Sequence, residues 1–245
     1  MNSTVTGNYL RVLIIKMYFL HTMLQIRKIV YYERCIYFTF FYFCMMITLF
    51  PKEKITFEIP DASIEYYPHF FELVTANTLF DSLKHQIPWQ QDAITVYGKT
   101  HQQPRLTALF GNEGKPYKYS SIVMEPHSWN SLLSNIKNKI EEIIDEKFTT
   151  VLLNYYRDGK DSNGWHADNE KELGINPVIA SVSFGAERYF HLQHNTIKNQ
   201  KLKINLEHGS LLIMKGTTQH FWKHQIPKTA KIIESRINLT FRIIK

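Results

Sequence analysis

The segment GWHAD holds His166 and Asp168 two residues apart, and His224 follows in QHFWKHQIP, 56 residues after the aspartate. Two imidazoles and a carboxylate can share one divalent ion and leave three positions of an octahedral site open, the arrangement used in non-haem iron(II) chemistry with oxygen. On a strand, the two-residue spacing sends His166 and Asp168 to one face, and a neighbouring strand can bring a third donor alongside. His220 competes with His224 for that place, since four residues on a strand return to the same face. Alone, a His-x-Asp triplet says little in a chain of eleven histidines, where a surface histidine beside an aspartate is the plain alternative.

The last apolar stretch, RINLTFR, sharpens the case. Its polar and apolar residues alternate without a break, so Arg236, Asn238, Thr240 and Arg242 share one face. Two guanidinium groups turned into a sandwich are costly without an anionic partner, and a dicarboxylate cosubstrate would be one. The bland reading is a solvated edge strand with salt-bridged arginines. Asn154 and Tyr156, again two apart in VLLNYYRDGKD, could flank the same ligand or be ordinary strand polarity.

Elements must position these residues. The run 71–86 places Phe71, Val74 and Leu83 at helical spacing and is closed by Pro88. A second run, 129–147, carries Leu132, Leu133, Ile136, Ile140, Ile143 and Ile144 on one stripe and predicts an amphipathic helix. Beyond Phe148, short β-branched and aromatic runs alternate with turn signals at Asp158-Gly159, Asn163-Gly164, His208-Gly209 and Lys215-Gly216, the spacing of an antiparallel sandwich or barrel. Strands are expected at 149–156, 178–184, 188–193, 202–206, 210–214, 219–224 and 236–244. The class is α+β, with helices preceding a β core.

The 245 residues carry a formal charge of +7 and 44% hydrophobic residues, a composition suited to one sizeable core. Residues 1–50 account for +4 of the charge and residues 84–118 for +3, leaving the remainder neutral. A local basic patch is what a phosphate backbone needs. Cys35 and Cys44 are the only cysteines, so the later chain has neither disulfide nor thiolate nucleophile, and a reducing compartment is expected. From Cys35 to Phe50 run sixteen uncharged residues after Arg27, Lys28 and Arg34. This is slightly short for a membrane span. It reads either as a signal anchor or as sequence preceding a later start at Met45 or Met46, the reading we favour.

With these pieces in this order, the sequence resembles the AlkB family of iron(II)- and 2-oxoglutarate-dependent dioxygenases over residues 60–244, and in particular the branch of human AlkB homologues two and three. The resemblance rests on NYYRDGKDSNGWHADNE, PVIASVSFGAERYF, LEHGSLLIM and RINLTFR, with VYGKTHQQPRLTALFG and PYKYS similar to that branch's nucleotide-recognition region. It implies a domain over 51–245, with recognition elements at 90–125 and a double-stranded β-helix (jelly-roll) core at 149–244. It also implies iron(II) on His166, Asp168 and His224, and 2-oxoglutarate on Arg236 with Asn154, Tyr156, Asn238 and Arg242, oxygen being the co-oxidant.

The implied activity is oxidative removal of small alkyl groups from bases such as 1-methyladenine and 3-methylcytosine in DNA. The alternatives are methylated RNA or a protein side chain. By the same resemblance, Tyr119 and His166 sandwich an extruded base with Tyr117 and Glu170 at its edge. The resemblance also makes Tyr97 a candidate duplex wedge, the alternative being a turn aromatic packed on its own hairpin, and Lys99 and Arg105 candidate phosphate contacts. Asn169 stands where relatives often carry an acidic residue, which bears on base preference. A monomer without a stable protein partner, in the cytoplasm or a nucleus, is expected.

Overall fold

The computed structural model describes residues 54–96, 99–112, 117–119 and 122–245, all within the compact unit Lys52–Lys245. The apolar segment 1–50 lies outside the described residues. Elements run β1 (Ile55–Phe57), β2 (Ser63–Tyr67), α1 (Leu73–Gln86), β3 (Ala93–Val96), β4 (Lys99–Gln102), β5 (Leu106–Gly111), β6 (Tyr117–Tyr119), β7 (Ile122–Met124) and α2 (Ser131–Glu141). Then come β8 (Thr150–Tyr156), β9 (Asn163–His166), a 3-10 turn (Lys171–Leu173), β10 (Ile179–Gly185), β11 (Arg188–His194) and β12 (Lys201–Leu206). The chain closes with β13 (Ser210–Lys215), a helical turn α3 (Thr218–Phe221), β14 (Trp222–Ile226) and β15 (Arg236–Arg242).

Among the described residues a seven-stranded sheet runs β1-β2-β13-β10-β15-β8-β5, and a four-stranded sheet runs β12-β11-β14-β9. Their pairings are antiparallel. From β8 onward the chain passes back and forth between the two sheets, which gives the jelly-roll core. Alternation divides the apolar residues into two cores. Ala108, Val151, Leu153, Val182, Leu211, Leu239 and Phe241 meet α1 and α2 on the outside of the large sheet. Leu109, Leu152, Leu212, Phe190, Leu192, Ile204 and Trp222 fill the space between the sheets. β15 lies between β10 and β8 with every residue buried. The solvated-edge alternative for RINLTFR is therefore excluded.

Both predicted helices form, with different limits. α2 starts where Asn130 accepts a hydrogen bond from the Leu133 amide at 2.8 Å and buries Leu133, Ile136 and Ile140. It stops at Glu141 and not at Lys147, because the Glu141 carboxylate takes the Phe148 amide at 2.8 Å together with Lys137 and Lys147. Ile143, expected on the apolar stripe, is exposed. In α1 the buried face is Ala76 and Leu83, while Val74 is 78% exposed. The strand expected at 219–224 is corrected too: Thr218–Phe221 form a helical turn and the strand is Trp222–Ile226. Strands β2 and β5 were not expected, although Pro60-Asp61 and Pro68 flank the first and Pro104 and Gly111-Asn112 the second.

Asn130→Ala is expected to lower stability by about 1 kcal/mol, read as a shift in the denaturant midpoint with an unchanged slope. A midpoint equal to that of the parent protein would show that the cap contributes nothing.

Candidate metal centre and its anion pocket

β9 and β14 are neighbours, and His166 pairs with His224 across them. The Nε2 atoms of the two rings lie 3.1 Å apart. β9 ends at His166, so Asp168 belongs to the segment beyond the strand and not, as expected, to the strand itself. Its place is fixed from both ends. The Asp168 amide donates to Gln219 Oε1 at 2.9 Å, and Arg242 Nη2 donates to Asp168 Oδ1 at 2.8 Å. The other oxygen, Oδ2, is 3.8 Å from His224 Nε2. One donor atom from each of His166, Asp168 and His224 lies within 4.8 Å of the others.

The protonation states suit a cation. His166 Nδ1 donates to the Gly164 carbonyl at 2.7 Å, which leaves Nε2 with its lone pair turned to the cluster. Burial pulls His224 down to about 3, with His166 adding to the effect, and burial also lowers His166 against the pull of Asp168. Burial alone would raise the Asp168 carboxyl, but Arg242 above all, then the two histidines, hold it well below the usual carboxylate range. Neutral imidazoles and an ionised carboxylate at neutral pH are the ligand forms a divalent metal needs. The sequence left His220 open as a third donor. It sits on α3, where its ring meets Asn176 Oδ1 at 3.1 Å.

The pocket that holds the cluster is also lined by Asn154, Tyr156, Arg236, Asn238, Thr240 and Arg242 among others. Arg236 is 1% exposed. Its Nη2 donates to Ser183 Oγ at 2.8 Å, while Nε and Nη1 have no hydrogen-bond partner among the described residues. Burial lowers its pKa to about 10, so it remains charged at neutral pH. A buried, charged guanidinium with two idle donors calls for a carboxylate. Asn238 donates to Ser181 Oγ at 2.8 Å and accepts from Thr240 Oγ1 at 3.1 Å. The residues present thus fit a divalent cation and an adjacent dicarboxylate.

The expected substrate contacts fare differently. Arg105 is 4% exposed, and its Nε donates to Asn154 Oδ1 at 2.6 Å. It braces the anion pocket and is not open to a phosphate backbone, so that expectation is corrected. Tyr97 lies outside the described residues. Lys99, Tyr117 and Tyr119 belong to the β3–β4 and β6–β7 hairpins. Asn169 is exposed and Glu170 half-buried, just before the 3-10 turn.

Sequence reasoning missed Gln219, Ser181, Ser183 and Phe190, whose ring lies 5.0 Å from that of His224. The serines alternate along SVS of β10 and could have been found by the period-two rule applied to RINLTFR. Nothing local marks Gln219.

A family model described as the 2OG-Fe(II) oxygenase superfamily matches residues 63–242. The chain is 44% identical over 186 residues to the alpha-ketoglutarate-dependent dioxygenase alkB homolog 3 of Bos taurus, covering 72% of this chain and 64% of that protein. It thus spans just under two thirds of that relative's length. To the DNA oxidative demethylase ALKBH2 of Mus musculus it is 34% identical over 188 residues, covering 73% of this chain and 79% of that protein. The solved structure of OsALKBH1 is similar in fold, with a TM-score of 0.56 at 16% identity, covering 78% of this chain and all of that one.

Replacing Arg242 with Met removes the bond to Asp168 Oδ1 and the charge that keeps the carboxylate ionised. Manganese(II) affinity measured by calorimetry is expected to fall about 10- to 100-fold. Unaltered affinity would mean that Arg242 does not hold the aspartate for a metal.

Proposed function

The chain belongs to the 2OG-Fe(II) oxygenase superfamily and, within it, to the AlkB family, and on that premise we propose that it removes small alkyl groups oxidatively from damaged DNA bases. The observation that carries this reading is the convergence of His166, Asp168 and His224 beside Arg236, a buried guanidinium with two idle donors.

In this reading iron(II) is held by the three donors. When bound with 2-oxoglutarate and oxygen it supplies the oxidation: the keto acid becomes succinate and carbon dioxide, and one oxygen atom goes to the N-alkyl carbon. A hydroxylated methyl group then leaves as formaldehyde and restores the base. The protein's own residues do the positioning. Arg236 grips the distal carboxylate of the cosubstrate in a fork, with Asn154, Tyr156 and Asn238 around it. Arg242 and Gln219 fix the aspartate. Leu152, Phe190, Leu206, Met214 and Ile226, also in the pocket wall, restrict water there.

A base inside a duplex cannot reach such a pocket, so the enzyme acts on single strands or flips the nucleotide out at a cost of about a few kcal/mol. Lesions that block pairing lower that cost. We assign Tyr119 and His166 to the two faces of the extruded base, Tyr117, Asn169 and Glu170 to its surroundings, Lys99 to a phosphate contact and Tyr97 to the wedge.

The test is a panel of single- and double-stranded oligonucleotides, in DNA and RNA, carrying 1-methyladenine or 3-methylcytosine. Formaldehyde release from the DNA lesions is expected, with none from His166→Ala, which also stops succinate production. Turnover confined to RNA, or to no oligonucleotide at all, would overturn the assignment. Tyr97→Ala is expected to lose activity on duplex DNA while keeping it on single strands; equal effects on both would remove the wedge.

A further inference from the structure

Counting charge along the chain places the positive excess of the domain in residues 84–118 and leaves the rest neutral. Folding gathers a second basic surface that such counting hides. On the outer face of the small sheet, alternation turns Lys201 and Lys203 of β12, Tyr189 and His191 of β11, Lys223 of β14 and Trp165 of β9 away from the inter-sheet core. Register aligns them across the strands: His191 pairs with Lys203 on one side and with Gln225 on the other, and Gln193 pairs with Lys201 and with Lys223.

Two hollows cross this face and share His191 and Lys203. One reaches Trp165, and the other extends past Tyr189 to Lys228 and Lys231 on the β14–β15 connection. Glu187, in the hollow that passes Tyr189, is the single carboxylate among the residues lining the two, and it is engaged by Asn205 Nδ2. Among the described residues none of the five lysines pairs with a carboxylate. The Lys203 ammonium lies instead over the Tyr189 ring, 3.6 Å from its centroid.

Tyr189 and Trp165 are 45% and 44% exposed, high for rings that a folded domain has no reason to leave in water. Cations interleaved with exposed rings on a sheet face match a chain of phosphates carrying unpaired bases, since phosphates need the cations and every base has a face to stack. A duplex offers no free base faces, and an acidic protein surface has no use for the two rings. The face also ends at the right place. β9 is the edge strand of the small sheet, and Trp165 on its outer side immediately precedes His166 on its inner side.

We propose that the outer face of the small sheet is a docking surface for the single-stranded nucleic acid that flanks the target nucleotide. It rests on the reading of the substrate as nucleic acid, and it adds where the unreacting part of the strand lies. Lys201, Lys203 and Lys223 neutralise phosphates, and Tyr189 stacks a base. Affinity for long substrates then comes from a surface separate from the metal centre and from the hairpins at 93–124.

The test is binding of a fluorescein-labelled 15-nucleotide single strand to the full-length chain, by anisotropy over a range of salt. Lys201→Glu/Lys203→Glu/Lys223→Glu is expected to weaken binding at least tenfold and to reduce the salt slope by about two, as three lost phosphate contacts on a single strand require. Tyr189→Ala is expected to weaken it about fivefold or more with the slope unchanged. Lys147→Glu, a control on the helical side, is expected to bind within twofold of the parent. Turnover of a trinucleotide carrying 1-methyladenine stays within twofold in the triple variant, which shows that the fold and the metal centre are intact.

Parent-like binding by the triple variant, or no binding of the strand by the parent protein, would overturn the proposal. Loss of binding in a protein that demethylates nothing would leave the surface standing and remove the demethylase reading instead.

Discussion

Charge buried between the sheets is the constraint on which the rest depends. Arg236 and Arg242 are both nearly fully buried on β15, and among the described residues lining their pocket the carboxylate is Asp168, which Arg242 already holds. With both histidines neutral the site carries an excess positive charge. Leaving a buried ion without a partner costs several kcal/mol. A divalent cation on the three donors would add two further positive charges, and a dicarboxylate offsets those two while setting an anion against Arg236. Cation and cosubstrate are therefore electrostatically coupled, each making the pocket a better place for the other.

The surrounding fold serves that constraint. β15 could carry two arginines inward only because its other face, Ile237, Leu239 and Phe241, packs into the core shared with α1 and α2. Its central place between β10 and β8 satisfies the backbone on both sides, so the polar side chains alone remain to be matched. Ser181 and Ser183 on β10 and Asn154 on β8 supply neutral partners. Arg105, just before β5, reaches Asn154 and also donates to the Ser162 carbonyl at 3.3 Å, tying the pocket wall to the residue that precedes the strand carrying His166. Arg188 is buried nearby and donates to the carbonyls of Asp158, Asp161 and Pro227. It thereby pins the connections on either side of the site without competing for its anion.

Much of this was legible in the residues, for reasons that differ by element. The unbroken alternation of RINLTFR gave the face and the burial of β15, because period two is a geometric property of any strand. His-x-Asp with a later histidine pointed to the donors, and the Leu133, Ile136, Ile140 stripe to α2. What escaped was set by tertiary partners. Glu141 ends α2 early by capturing the Phe148 amide, and no propensity encodes that. TQHF folds into a helical turn whose Gln219 must reach Asp168, which is 51 residues away in sequence. Arg105 read as one of a cluster of surface cations because linear charge cannot distinguish a guanidinium that folds inward, and the same blindness hid the lysines of the small sheet.

The most direct measurement is a crystal structure of the protein with manganese(II) and 2-oxoglutarate under nitrogen. Expected is one metal ion bonded at about 2.0–2.2 Å to His166 Nε2, His224 Nε2 and an Asp168 oxygen, with the distal carboxylate of the keto acid on the Nε and Nη1 donors of Arg236. A metal bound elsewhere, or a keto acid that leaves those two donors without an anion, would contradict the account of why β15 buries its charge.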